Sequence, residues 1–322
     1  MAPSDTDMEP NFSEIRRMLD ELPPADRAAE AAAGTAAGEG MGMLSGLARF
    51  LAAWQGRATP QLNHPRICVF AASQGVAAGL GVDPSALTEA SVKRFLDGDT
   101  PLNRLVDTLD ADLRVYELSV EVPTENIAAQ PAMSEADCAR AMTYGMIAVE
   151  PGIDVLALAG VSGEAKLPAA ALASLLLGGT ARDWLGADAG SARLALVDQA
   201  VALHAGAKAD PLEALRRLGG LDIAAMAGAI LACRFARTPV LIDGVEGLAA
   251  AAVLRALRPT AIEHCLLAHA SGDAGARALA DRLGLTPLLD LGLSTGDGIG
   301  SAIAINLLRA AVACQAEAAR LN

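Results

Sequence analysis

The chain has 322 residues, 52% of them hydrophobic but only 3% aromatic, and carries a formal net charge of −13. That length supports a sizeable core, as one large domain or two small ones, and the scarcity of aromatics points to small-residue helices packed closely on a sheet. The negative balance argues against nucleic acid or an anionic membrane surface as the main partner, while leaving room for an anionic small molecule held by a local cation or a helix N-terminus.

The first residues, "MAPSDTDMEPNFSEIRR", place acids ahead of the few bases and contain no apolar core, so a signal peptide is not expected. Residues 12–22 are amphipathic, and "MGMLSGLARFLAAW" (41–54) reads as a helix. Between them "ADRAAEAAAGTAA" (25–37) reads as either a surface helix or a poorly ordered connection. Six short β-rich runs follow, each bounded by turn residues: "RICVFAAS" (66–73), "LRVYELSV" (113–120), "IDVLALAG" (153–160), "TPVLIDG" (238–244), "HCLLAHA" (264–270) and "PLLDLGL" (287–293). Most are continuously apolar rather than alternating, as strands covered on both faces are. The stretch "EVPTENIAAQPAMSE" (121–135) has no hydrophobic period and reads as a loop.

Helical patterns such as "DIAAMAGAILACRFA" separate the runs, and strand–helix alternation of this length predicts an α/β fold. The expected architecture is a parallel sheet of about six strands flanked by helices. Residues 1–60 with 301–322 are expected to form a small helical domain, and 61–300 an α/β substrate-binding domain. The glycine-rich turns "AASQG", "LAGVSGEAK", "IDGVEG", "HASGDAG" and "LSTGDGIG" all follow strands, where ligands bind in such sheets. No apolar run reaches the roughly 18 residues of a membrane span. The five cysteines are scattered singly and read as buried thiols in a reducing cytosol, without metal-ligand spacing. The four histidines likewise lack ligand spacing, so no metal site is expected.

One stretch asks for chemistry. In "LLDLGLSTGDGIGSAIAI" (288–305) an apolar run stops at Asp297, flanked by Gly296 and Gly298, and a helix begins at once. Glycines there let the chain turn and let another molecule come close. Asp297 is then either the N-cap of that helix or a working carboxylate.

Several blocks in collinear order resemble the nicotinate-nucleotide–dimethylbenzimidazole phosphoribosyltransferases of cobalamin biosynthesis. They are "RFLAAWQGRATPQLNHPRICVFAASQGVAAGLGV", "RRLGGLDIAAMAGAILACRFARTPVLIDG", "HCLLAHASGDAGA" and "TPLLDLGLSTGDGIGSAIA". The resemblance implies transfer of the ribose phosphate of nicotinate mononucleotide to a nitrogen of 5,6-dimethylbenzimidazole, with no cofactor. It implies a cytoplasmic homodimer whose partners are those two small molecules, with no nucleic acid and no membrane. A carboxylate in the closing loop accepts the azole proton in this family. Asp297 takes that position where the family has Glu in "LGEGTG", which shortens the reach by one methylene, about 1.5 Å.

Other positions depart further. The family's "GEMGIGNTT" aligns with "AGVSGEAKL" (159–167), so that its acid falls on Gly160 and its Asn and both Thr are replaced. Glu164 and Lys166 are then either a stand-in acid and a phosphate cation or a solvated turn. The family's His-Gly after the first strand becomes Gln74-Gly75, and a phosphate-binding lysine aligns with Arg193. Guanidinium binds phosphate bidentately, although an arginine on a helix surface is equally ordinary. Ser271 and Gly272 fall in a turn suited to a phosphate nest, and Asp243 lies in the matched "LIDG" block. His269 either lines the cleft or is a satisfied structural residue. The replaced motif residues also raise an alternative: a non-catalytic paralogue that binds a nucleotide or azole, or regulates a true family enzyme.

Overall fold

The computed structural model describes residues 10–36 and 41–321. It contains one six-stranded sheet, built from β1 (Pro65–Ala71), β2 (Asp112–Glu117), β3 (Val155–Gly160), β4 (Val240–Ile242), β5 (Cys265–His269) and β6 (Pro287–Leu289). Every pairing is parallel and the order is β2-β1-β3-β4-β5-β6. The six strands and the parallel α/β architecture expected from the apolar runs are therefore present. Two runs end early. β2 stops before Ser119, which takes φ 49°, and β6 stops before Gly292 at φ 67°. Both are left-handed conformations that no strand continues through.

The strands are apolar throughout, yet their side chains still divide by parity. Cys68, Phe70, Leu156, Leu158 and Ile242 face the larger core, under helices Glu135–Ile147, Lys166–Leu177, Leu221–Ala236 and Val245–Leu257. Ile67, Val69, Ala157, Ala159 and Leu241 face the opposite core, under helices Met43–Gln55, Pro101–Leu109 and Ile299–Leu321. The N-terminal helix Phe12–Asp20 buries Phe12, Ile15 and Leu19 in the larger core, capped by Asn11. The segment 27–36 is helical, settling the alternative left by its alanine-rich sequence.

Helix Ile299–Leu321 has the length and hydropathy to cross a bilayer over residues Ile299–Glu317, which the run-by-run reading of the sequence did not show. Its Ala302, Ala304, Ile305, Leu308 and Ala311 are nonetheless buried against the sheet. Four cysteines are buried and Cys314 is partly exposed; all five are free.

Candidate active site

Strand order reverses between β1 and β3, so the carboxyl ends of neighbouring strands diverge and leave a crevice. A cleft of about 600 Å³ lies beyond the carboxyl ends of β3 to β6, lined by the segments that leave β3 (Gly160 to Lys166), β4 (Gly244 to Glu246), β5 (Ser271, Asp273) and β6 (Ser294 to Asp297). Leu87, Ser91, Arg94 and Phe95 from helix Pro84–Leu96, with Thr100 and Pro101, form the facing wall, in which Leu87, Phe95 and Pro101 are apolar. Of the residues singled out in the sequence, Gly160, Glu164, Lys166, Arg193, Ser271, Gly296 and Asp297 meet in this one cleft.

Asp297 faces the cleft and does not cap the helix behind it. Among the described residues its carboxylate accepts one hydrogen bond, from Thr295 Oγ1 at 3.1 Å. The helix start is served instead by Asp243, at the end of β4, whose Oδ2 accepts from the Ser301 amide at 2.9 Å. An acid borrowed from the neighbouring strand satisfies an orphan amide and suits the positive end of the helix. Asp297 is thereby left to the cavity.

The closing loop is held flat against the sheet by glycine contacts. Gly160 donates its amide to the Gly296 carbonyl at 3.1 Å. A Cβ on Gly296 would lie 2.4 Å from the Gly244 Cα, and one on Gly298 would lie 2.9 Å from Leu102. Gly272 donates to the Leu293 carbonyl at 2.6 Å, tying the phosphate-type turn to the same loop. Gly272 and Gly298 therefore act through backbone packing, behind the cleft surface.

Asp243, His269 and Gln74 are buried beneath the cleft. His269 is 2% exposed; its Nε2 meets the Leu293 carbonyl at 3.0 Å and its Nδ1 faces Asp243 Oδ1 at 3.7 Å. The neighbouring Asp243 carboxylate pushes the imidazole above its ordinary value, against the opposing effect of burial. The structural reading of His269 is the one the geometry supports, since it clamps the loop to β5. Stability drawn from this pair is fully present below the unfolded histidine value of about 6.5 and fades as pH rises through the raised folded value. Asp243→Ala is expected to cost about 2 kcal/mol, through the lost cap and the stranded histidine. It should also remove that decline above about pH 6.5, as checked by urea denaturation on either side of that value.

Both candidate phosphate cations are held by acids. Glu164, in a left-handed conformation with φ 57°, receives Arg193 in a two-pronged pair, one prong at 2.9 Å from Nε to Oε2 and the other from Nη2 to Oε1. Lys166 Nζ meets Asp273 Oδ2 at 2.7 Å, while Asp273 Oδ1 caps helix Ala274–Leu283 at the Ala276 amide.

The sequence reading passed over Ser162, Asp222 and Glu246. Asp222, completely buried, accepts from Ser162 Oγ at 2.5 Å, Gln74 Nε2 at 3.0 Å and the Ile223 amide at 2.8 Å. Burial pushes its carboxyl up against the pull of those donors. Glu246 is 6% exposed and lines the cleft. Burial, then the nearby Asp222 carboxylate, push it up to about 8. Each of these acids sits in the first turn of an apolar helix, where it is ordinarily explained by the helix dipole. The usable signal was position: each comes just after a glycine at the end of the sheet where ligands bind.

A family profile described as phosphoribosyltransferase matches residues 20–322. The chain is 42% identical over 316 residues to the nicotinate-nucleotide–dimethylbenzimidazole phosphoribosyltransferase of Brucella anthropi, spanning 94% of this chain and 93% of that one. It is 43% identical over 316 residues to the Rhizobium etli protein of the same name, with the same coverage. The crystal structure of the corresponding protein from Thermus thermophilus superposes with a TM-score of 0.77 at 30% identity, covering 95% of each chain. Sequence along nearly the full length and the fold agree, and the chain belongs to the nicotinate-nucleotide–dimethylbenzimidazole phosphoribosyltransferase family.

Proposed function

We propose that this chain transfers the phosphoribosyl group of nicotinate mononucleotide to 5,6-dimethylbenzimidazole, giving α-ribazole 5′-phosphate and nicotinate for the lower ligand of cobalamin. The observation that carries this reading is Asp297: its carboxylate opens on a cleft of about 600 Å³ while Asp243 does the capping. In the reaction the azole nitrogen attacks the anomeric carbon, and nicotinate departs with the electrons of the broken C–N bond. The proton of the azole passes to Asp297, as general-base catalysis requires of a carboxylate within hydrogen-bond reach.

The phosphate is assigned to the turn 271–275, with Arg193 and Lys166 beside it. An entering phosphate exchanges with Glu164 and Asp273 as the partner of those two cations. The wall formed by Leu87, Phe95 and Pro101 suits the flat, apolar benzimidazole. Gln74 supports the site from below through Asp222. The same reading makes the protein a cytoplasmic homodimer with small-molecule partners, independent of cofactor, nucleic acid and membrane.

The test is turnover of nicotinate mononucleotide with dimethylbenzimidazole, followed by chromatography and mass detection of α-ribazole phosphate. Product formation that depends on both substrates is expected. Intact binding of both without product would replace this reading by that of a non-catalytic, ligand-binding family member.

A further inference from the structure

We propose that Glu246 holds a ribose hydroxyl of the phosphoribosyl donor, a role that rests on the transferase reading above. A phosphoribosyl group extends from its 5′-phosphate to the anomeric carbon. With the phosphate at Lys166 and the turn 271–275, and the azole at Asp297, the sugar lies between the two.

Glu246 is the side chain placed there. Its Oε1 lies 2.4 Å from where a Cβ on Gly160 would stand, and its Oε2 lies 3.3 Å from the corresponding point on Gly244. That same point on Gly244 is 2.9 Å from the Gly296 Cα, next to Asp297. The Lys166 ammonium also acts on the carboxyl electrostatically. The motif acid that aligns with position 160 is missing from this chain, and the carboxyl of Glu246, coming from β4 instead of β3, fills the space. Among the described residues it bonds to nothing beyond its own backbone amide.

Such a group is costly to bury without a partner. The carboxylates acting on it are Asp222 and Asp243, and Lys166 acts on it as a cation; Arg94 and Arg193 line the same cleft. Kept protonated near neutral pH by burial and by Asp222, the carboxyl both donates and accepts, which matches a hydroxyl. A bond to the ribose hydroxyl also strengthens as positive charge builds at the anomeric carbon, the property that makes such contacts count in glycosyl transfer.

The experiment compares nicotinate mononucleotide with its 2′-deoxy and 3′-deoxy forms as donors for the parent, E246A and E246Q. The parent is expected to disfavour one deoxy donor by about tenfold to a hundredfold in kcat/KM, the worth of one well-made buried hydrogen bond. E246A should bring that ratio near one, and E246Q, which keeps a donor and an acceptor, should retain most of it. E246A as selective as the parent overturns the proposal. So does E246Q as slow as E246A on every donor, the pattern of a proton carrier.

If the parent turns over none of the nucleotides, the transferase reading fails by itself. Calorimetric affinities for ribose 5-phosphate, 2-deoxyribose 5-phosphate and 3-deoxyribose 5-phosphate then decide the role of Glu246. A preference for ribose 5-phosphate over one deoxy sugar that E246A abolishes supports it, and a parent without preference overturns it. E246A should melt no lower than the parent, because a buried carboxyl without a side-chain partner is being removed.

Discussion

Asp297→Asn is expected to lower kcat/KM for α-ribazole phosphate formation by about 10²-fold or more, the usual worth of a positioned general base. The carboxamide keeps the size of the side chain and can still receive the Thr295 hydroxyl, which lies 3.1 Å from the Asp297 carboxylate. What it loses is the ability to take a proton. Melting temperature should stay close to that of the parent, because the helix behind is capped by Asp243, bonded to the Ser301 amide. A substitution away from caps and core typically changes stability by less than about 0.5 kcal/mol. Asp297→Glu, which restores about 1.5 Å of reach, should match or exceed the parent rate. The two axes separate the readings that the sequence left side by side. A helix cap predicts lost stability with intact turnover, and a base predicts the reverse. An Asp297→Asn enzyme as fast as the parent would remove this residue from the chemistry.

How much of this was legible follows from the range of the interactions involved. The six strands were readable because burial on both faces leaves each as an uninterrupted apolar run, such as Val155 to Gly160. The loop carboxylate was readable too, since glycines crowd it within a few positions. Whether Asp297 caps the helix was not, because the answer lies in Asp243, on a strand far earlier in the chain, and in the strand order that brings it to Ser301. Glu246 was hidden for the same reason. Locally it is a first-turn acid, and only its approach to Gly160 on the adjoining strand shows that it fills a gap. Arg193 and Lys166 were identified as cations, but their acid partners Glu164 and Asp273 come from separate segments, 29 and 107 residues away. Local pattern thus marked the elements, whereas the partners of these side chains are set by contacts between the strand ends.

The largest expected effect on stability comes from the abundance of small residues. Helices Glu135–Ile147 and Leu221–Ala236 approach so closely that a Cβ on Gly228 would stand 1.9 Å from the Met142 carbonyl oxygen. A Cβ on Gly145 would stand 1.8 Å from the Ala225 carbonyl oxygen. Both atoms are backbone, so no side-chain rotation relieves the overlap and the helices must move apart. Gly228→Ala gains up to about 1 kcal/mol of helix propensity but overpacks a close-packed interior, which costs about 3 kcal/mol or more when the obstacle is rigid. The cost wins by about 2 kcal/mol or more, and the melting temperature is expected to fall by about 3 °C or more. Gly46→Ala supplies the contrast: it lies within helix Met43–Gln55 with nothing within 4 Å of the added carbon. There the propensity gain stands alone, and stability should rise by about 0.5 kcal/mol or more. Separation of the two helices also displaces the start of the second, where Asp222 gathers Ser162 and Gln74. Gly228→Ala should therefore lose turnover below its melting temperature as well, whereas Gly46→Ala should not. A Gly228→Ala protein that melts at or above the parent would mean that these two helices do not meet backbone to backbone.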